Sequence, residues 1–126
     1  MNAQSYNFYF RILLVSILVA LLGLSPISHL AEGNLVNVNQ FIAEGDYLQA
    51  SRSLARAAQY FPWRYDLNLQ AGRLAFQAGE PKAAIQYFER PGTRSNLSFD
   101  DVLMLGDAYN QAGDPYMAEA IWNHLA

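Results

Sequence analysis

The side chains that could do chemistry are few, and they are scattered. Two histidines, His29 and His124, stand far apart in sequence, so they suggest no shared ligand set; each reads as a solvated or interfacial side chain. Adjacent carboxylates occur once, at Asp100-Asp101. At the start of a helical pattern such a pair favours the positive end of the helix dipole over acid–base work. Asn96-Leu97-Ser98 fits the glycosylation acceptor pattern, which has meaning only in a eukaryotic secretory lumen. There is no Gly-rich phosphate loop, nucleophile elbow or paired metal-ligand spacing. The lack of cysteine removes disulfides, thiolate sites and a lipoprotein anchor. The expectation is a chain that is not an enzyme and uses no cofactor, no metal and no small-molecule substrate.

The elements that carry these residues are strongly apolar. The chain has 126 residues, of which 52% are hydrophobic and 15% charged, with a net charge of −3. That length supports one small domain. Basic residues are Lys82 and seven arginines spread singly, which excludes the basic footprint of a nucleic-acid binder. Ile12 to Leu24 is an apolar run interrupted only by Ser16. Extended to residues 8–30 it reaches the roughly 20 residues that a bilayer-spanning helix needs, with Arg11 able to snorkel and Tyr6 and Tyr9 suited to the interface. Residues 1–30 therefore read as a single-pass anchor or a signal peptide. A cut after Ala31 would place His29, and a cut after Ser28 would place Pro26, where a cleavage site wants a small residue. No Lys or Arg follows the run until Arg52. The positive-inside rule then keeps the N-terminus cytoplasmic and the rest on the outer, periplasmic or extracellular side, or secreted if the segment is cleaved.

Beyond the apolar run the chain repeats itself. "QAGEPKAAIQYF" from Gln77 and "QAGDPYMAEAIW" from Gln111 share punctuation at an interval of thirty-four residues, and a step back by the same interval lands on Gly45. Five residues after Gly45, Gly79 and Gly113 stand Ala50, Ala84 and Ala118; nine after stand Leu54, Phe88 and Trp122. Repetition at this period means stacked units. Leu67, Ala71, Leu74, Ala75 and Ala78 recur at helical spacing before one glycine, as Val102, Leu105, Tyr109 and Ala112 do before the next. Glycine suits the left-handed residue that ends a helix, and Pro81 and Pro115 suit the first position of the next. Asp114 fits an N-cap, and Ser98 with Asp101 fits a capping box. Gly72 and Gly106, each seven before a turn glycine, mark places where helices pack closely.

These columns resemble the tetratricopeptide repeat family, a 34-residue helix–turn–helix unit. The third unit supplies Leu105, Gly106, Tyr109, Ala118 and Trp122, and the second supplies Ala71, Gly72, Ala75, Ala84 and Phe88. The first supplies Phe41, Ala50, Leu54, Ala57 and Pro62, but has Asn37 and Val38 where a small pair is usual. Pro91 replaces an expected alanine, so the second helix of unit two should stop early and "PGTRSN" should loop out. The aromatic cluster "QYFPWRY", Gln59 to Tyr65, should pack the seam between units one and two. The resemblance implies an all-α fold: three stacked repeats, 31–64, 65–98 and 99–126, in a short right-handed solenoid behind one N-terminal apolar helix.

In that family the first helix of each repeat lines a concave groove for extended peptides or partner helices. The resemblance carries the groove onto Leu35, Asn39 and Ile42, then Leu69, Arg73 and Phe76, then Leu103, Asp107 and Asn110, with Glu32, Asp66 and Asp100 beside them. A leucine column next to a polar ladder suits a protein segment. Arg73→Glu is expected to weaken partner capture without unfolding the domain. The family's clamp for chaperone carboxylates is not reproduced: its positions hold Leu35, Asn39, Gln70, Asp100 and Met104, of which only Asn39 fits. Ile121, Trp122 and Leu125 should be left partly uncovered, so either further repeats follow or this edge docks on another protein. The function implied is a membrane-tethered scaffold for protein–protein interaction. The alternatives are a structural or assembly subunit of a membrane complex, or the N-terminal part of a larger repeat-containing enzyme.

Overall fold

The computed structural model describes residues 9–19, 33, 35 and 37–125, which are helical or in turns, with no strand among them. Residues 9–19 form a helical stretch in which every side chain is exposed. No helix among the described residues is long and apolar enough to cross a membrane. Most of the expected span, residues 8–30, lies outside the described residues.

From residue 37 onward the chain folds as helix pairs: α1 (37–43) with α2 (Tyr47–Tyr60), α3 (Tyr65–Gln77) with α4 (Pro81–Phe88), and α6 (Phe99–Gln111) with α7 (Pro115–Asn123). A one-turn helix, α5 (Pro91–Arg94), lies between the second and third pairs. Helix α2 packs on α3, and α4 on α6, so each pair stacks on the next.

The three turns are copies of one another in hydrogen bonds as well as in sequence. Gly45, Gly79 and Gly113 have φ of 76°, 77° and 89°. Gly79 donates to the Phe76 carbonyl at 3.0 Å and Glu80 to Ala75 at 2.9 Å. The same two bonds recur as Gly45 to Ile42 and Asp46 to Phe41, and as Gly113 to Asn110 and Asp114 to Tyr109. This crossed pair satisfies helix-end carbonyls that would otherwise be orphaned, and it needs a left-handed residue between its donors. The next helix starts at once. Asp46 and Asp114 cap it through bonds to the Gln49 and Met117 amides, and Pro81 and Pro115 occupy its first turn.

Close helix crossing depends on two further glycines. A β-carbon on Gly72 would lie 2.8 Å from the Phe88 ring, and one on Gly106 would lie 2.7 Å from Trp122 Cδ1. Each ring is therefore seated on the glycine of its own hairpin. Phe88, fully buried, also joins Leu105, Ala108 and Ile121 of the next hairpin in one cluster. A second cluster, from Val38 and Leu54 to Leu67 and Ala71, holds the first pair to the second, and Tyr87 touches both.

Three packing expectations need correction. Helix α4 does stop early, at Phe88, but Pro91–Arg94 then forms a helical turn instead of looping out. Thr93 is buried and its hydroxyl donates to the Tyr65 carbonyl at 3.2 Å, which ties that turn to α3. The aromatic cluster does not pack the seam as a block: Phe61 reaches the core, while Trp63 is 71% exposed and meets Phe61 edge to face at 5.7 Å. Ile121 is buried in the cluster with Phe88 and Leu105 and not left at an open edge, whereas Trp122 and Leu125 are partly exposed as expected.

Candidate partner-binding groove

The first helices of the pairs carry eight of the nine expected groove residues, with Leu35 just ahead of α1, and the structure divides them by burial. Leu35, Leu69 and Phe76 are half-buried against the two hydrophobic clusters. Asn39, Ile42, Leu103, Asp107 and Asn110 are exposed. Ile42 and Leu103 keep 39% and 37% of their surface in water. Spacing explains the division. Leu69 and Phe76 lean toward the next hairpin, where Val102 and Met104 line the same cluster. Positions Leu103, Asp107 and Asn110 lie four and three residues apart, so they share one face of α6.

Arg73 is different. Its guanidinium donates two hydrogen bonds to the Asp101 carboxylate, from Nε at 2.6 Å and from Nη2 at 2.8 Å. The Asp101 side chain is 2% exposed and that of Arg73 46%. Asp101 belongs to α6 as its third residue and completes the predicted capping box. Its amide donates to Ser98 Oγ at 3.2 Å, and its Oδ2 accepts from the Ser98 amide at 3.1 Å and the Ser98 hydroxyl at 2.6 Å. One carboxylate thus starts a helix and clasps the neighbouring repeat. Burial pushes the Asp101 carboxyl up, but the Arg73 guanidinium and the Ser98 donors together outweigh it and hold it below the usual carboxylate range. The Asp101 hydrogen bonds likewise hold Arg73 above the ordinary guanidinium value.

The charge that Arg73 was expected to offer a partner is therefore already engaged. Arg73→Glu would set a second carboxylate against a buried one, so the expectation that it spares the fold is revised. Asp100, its neighbour in sequence, is exposed, so the Asp100-Asp101 pair splits into one solvated and one structural carboxylate.

Sequence reading missed two further polar ties. Ser51 on α2 is buried and its hydroxyl donates to the Ala71 carbonyl on α3 at 2.7 Å. On the other seam Tyr109 Oη donates to Glu89 Oε1 at 3.2 Å, and burial followed by the Glu89 charge raises the phenol pKa. Serine in a run of alanines carries no signal of a buried role. No buried side-chain nitrogen or oxygen among the described residues lacks a hydrogen-bond partner.

Hairpins of equal length, joined by identical glycine turns and clasped to their neighbours, define a helical-hairpin repeat protein. Residues 41–92 match the model of the tetratricopeptide repeat family, a family whose role implies protein partners. Comparison with curated proteins and with solved structures gave no match.

Proposed function

We propose that this chain is a membrane-tethered scaffold that holds a segment of a partner protein along the first helices of its repeats. The observation that carries the reading is the set of uncommitted side chains on those helices. Asn39, Ile42, Leu103, Asp107 and Asn110 are exposed and make no side-chain hydrogen bond among the described residues. Two part-exposed apolar side chains beside neutral and acidic polar groups fit a partner helix or strand with an apolar stripe and a basic or amide edge.

The tether rests on the sequence run from Phe8 to Leu30 and on the exposed apolar side chains of residues 9–19. A surface of that kind is costly in water and is relieved by lipid or by another apolar helix. In this reading the N-terminus is cytoplasmic and the repeats lie on the outer face. Bracing of a membrane complex is the second reading, favoured by the same exposed apolar stretch, which could pack on other spans.

A photo-crosslinking amino acid placed at Leu103 or Ile42, in intact membranes, tests the groove. The same probe at Tyr116, 85% exposed on the second helix of its hairpin, is the control. The proposal expects one protein attached from both groove positions and none from Tyr116. Adducts from Tyr116 alone would move the partner off the groove. Extraction of the membranes with alkaline carbonate tests the tether; a chain released into the soluble fraction would remove it.

A further inference from the structure

A second concave surface lies where α2 and the start of α3 meet the chain from the end of α4 into α5. Between α2 and the end of α4 run two adjoining hollows of about 460 and 260 Å³ that share Gln59 and Arg90 in their walls. Arg52 and Arg56, four residues apart on one face of α2, line the second, and Arg90 belongs to both. All three arginines are exposed, and none pairs with a carboxylate among the described residues. No Asp or Glu lines either hollow. The nearest candidate by sequence, Glu89, is engaged elsewhere, 3.4 Å from Arg94 and accepting from Tyr109. In a chain of net charge −3, three unpaired guanidinium groups are thus gathered on one cleft.

We infer that this cleft binds an acidic peptide segment of a partner protein, through carboxylates paired to Arg52, Arg56 and Arg90. Guanidinium forks match carboxylates in bidentate geometry, and gathering like charges without counter-charges is unfavourable until an anion arrives. The occupant is an extended segment because of size. The larger hollow has the volume of on the order of fifteen waters, which a lone inorganic anion would leave mostly empty. Amide side chains of Gln59, Asn68 and Gln86 stand along the walls, each able to donate to and accept from a peptide backbone.

The test uses the full chain and a fluorescein-labelled peptide of eight glutamates, followed by fluorescence anisotropy at low and at physiological salt. Wild-type chain should bind, more weakly as salt rises. Arg90→Gln should weaken binding about tenfold, as should Arg52→Gln or Arg56→Gln singly, because each removes a charge-assisted hydrogen bond. Tyr116→Ala, at an exposed position that lines neither hollow, should bind as wild type does. Helical circular dichroism of each variant checks that these exposed substitutions leave the fold intact. Failure of the peptide to bind, or binding that the arginine variants leave unchanged, overturns the assignment. So does capture of vesicles of phosphatidylcholine and phosphatidylglycerol by a chain that ignores the peptide. None of these results bears on the groove, whose crosslinks arise from Ile42 and Leu103, which line neither hollow.

Discussion

The Arg73–Asp101 clasp makes a quantitative claim about how the second repeat holds the third. In Arg73→Ala two of the four hydrogen bonds to the Asp101 carboxylate are lost, and a carboxylate that is almost fully buried keeps only its Ser98 donors. Removing one partner of a buried pair costs about 3–5 kcal/mol. Here Arg73 is nearly half exposed and water can replace part of its role, so about 2 kcal/mol is expected. Asp101→Ala forfeits the pair and the cap together, at about 2.5 kcal/mol, of which the cap is about 1. The double variant leaves no buried charge behind and should cost about 3 kcal/mol, below the sum of the single effects. The interaction energy of the cycle is then about 1.5 kcal/mol. Urea unfolding followed by circular dichroism reads all four chains. At a slope of about 2 kcal/mol per molar, Arg73→Ala moves the midpoint by about 1 M. Additivity of the two single variants to within about 0.5 kcal/mol would refute the clasp, because independent sites add to that tolerance.

Acid should weaken the same joint. Asp101 is held low in the folded chain, so its contribution is present above the unfolded value of about 3.9 and is lost as pH falls through the lower folded value. Melting temperature against pH should therefore drop more steeply below about pH 4 in wild type than in Asp101→Asn; parallel curves would count against it. The two glycine classes should also separate by mechanism. Gly79→Ala meets open space and incurs only the left-handed backbone cost, about 1–2 kcal/mol. Gly72→Ala drives a methyl against the buried Phe88 ring and should cost up to about 3 kcal/mol. Thermal melts of Gly72→Ala with and without Phe88→Leu decide the point, since a smaller partner should recover part of the loss only if the clash is its cause.

The turns were legible because their chemistry is local. Gly45, Gly79 and Gly113, Pro81 and Pro115, and the Ser98–Asp101 box each act within a few residues, and each takes the role its spacing predicts. Stacking was legible for a related reason: the small and aromatic columns recur at the interval of the hairpin, so one unit's packing is repeated in the next. Polar commitments were not. Nothing in the spacing of Arg73 and Asp101, or of Ser51 and Ala71, distinguishes a clasp across a seam from a solvated side chain. The Pro91–Arg94 turn was hidden in the same way, since its helix is held by Thr93 reaching Tyr65, twenty-eight residues away in sequence.

Sequence alone determined where each helix stops and starts and that the hairpins repeat, since glycine, proline and capping side chains act on their own backbone. The tertiary structure alone decided which groove positions are open and which are spent. It placed Leu69 and Phe76 against the next hairpin, engaged Arg73 with a buried carboxylate, and left Arg52, Arg56 and Arg90 without one among the described residues. Whether a charge is available depends on what lies across the seam, and that is set by how rigid helices stack, not by neighbours along the chain.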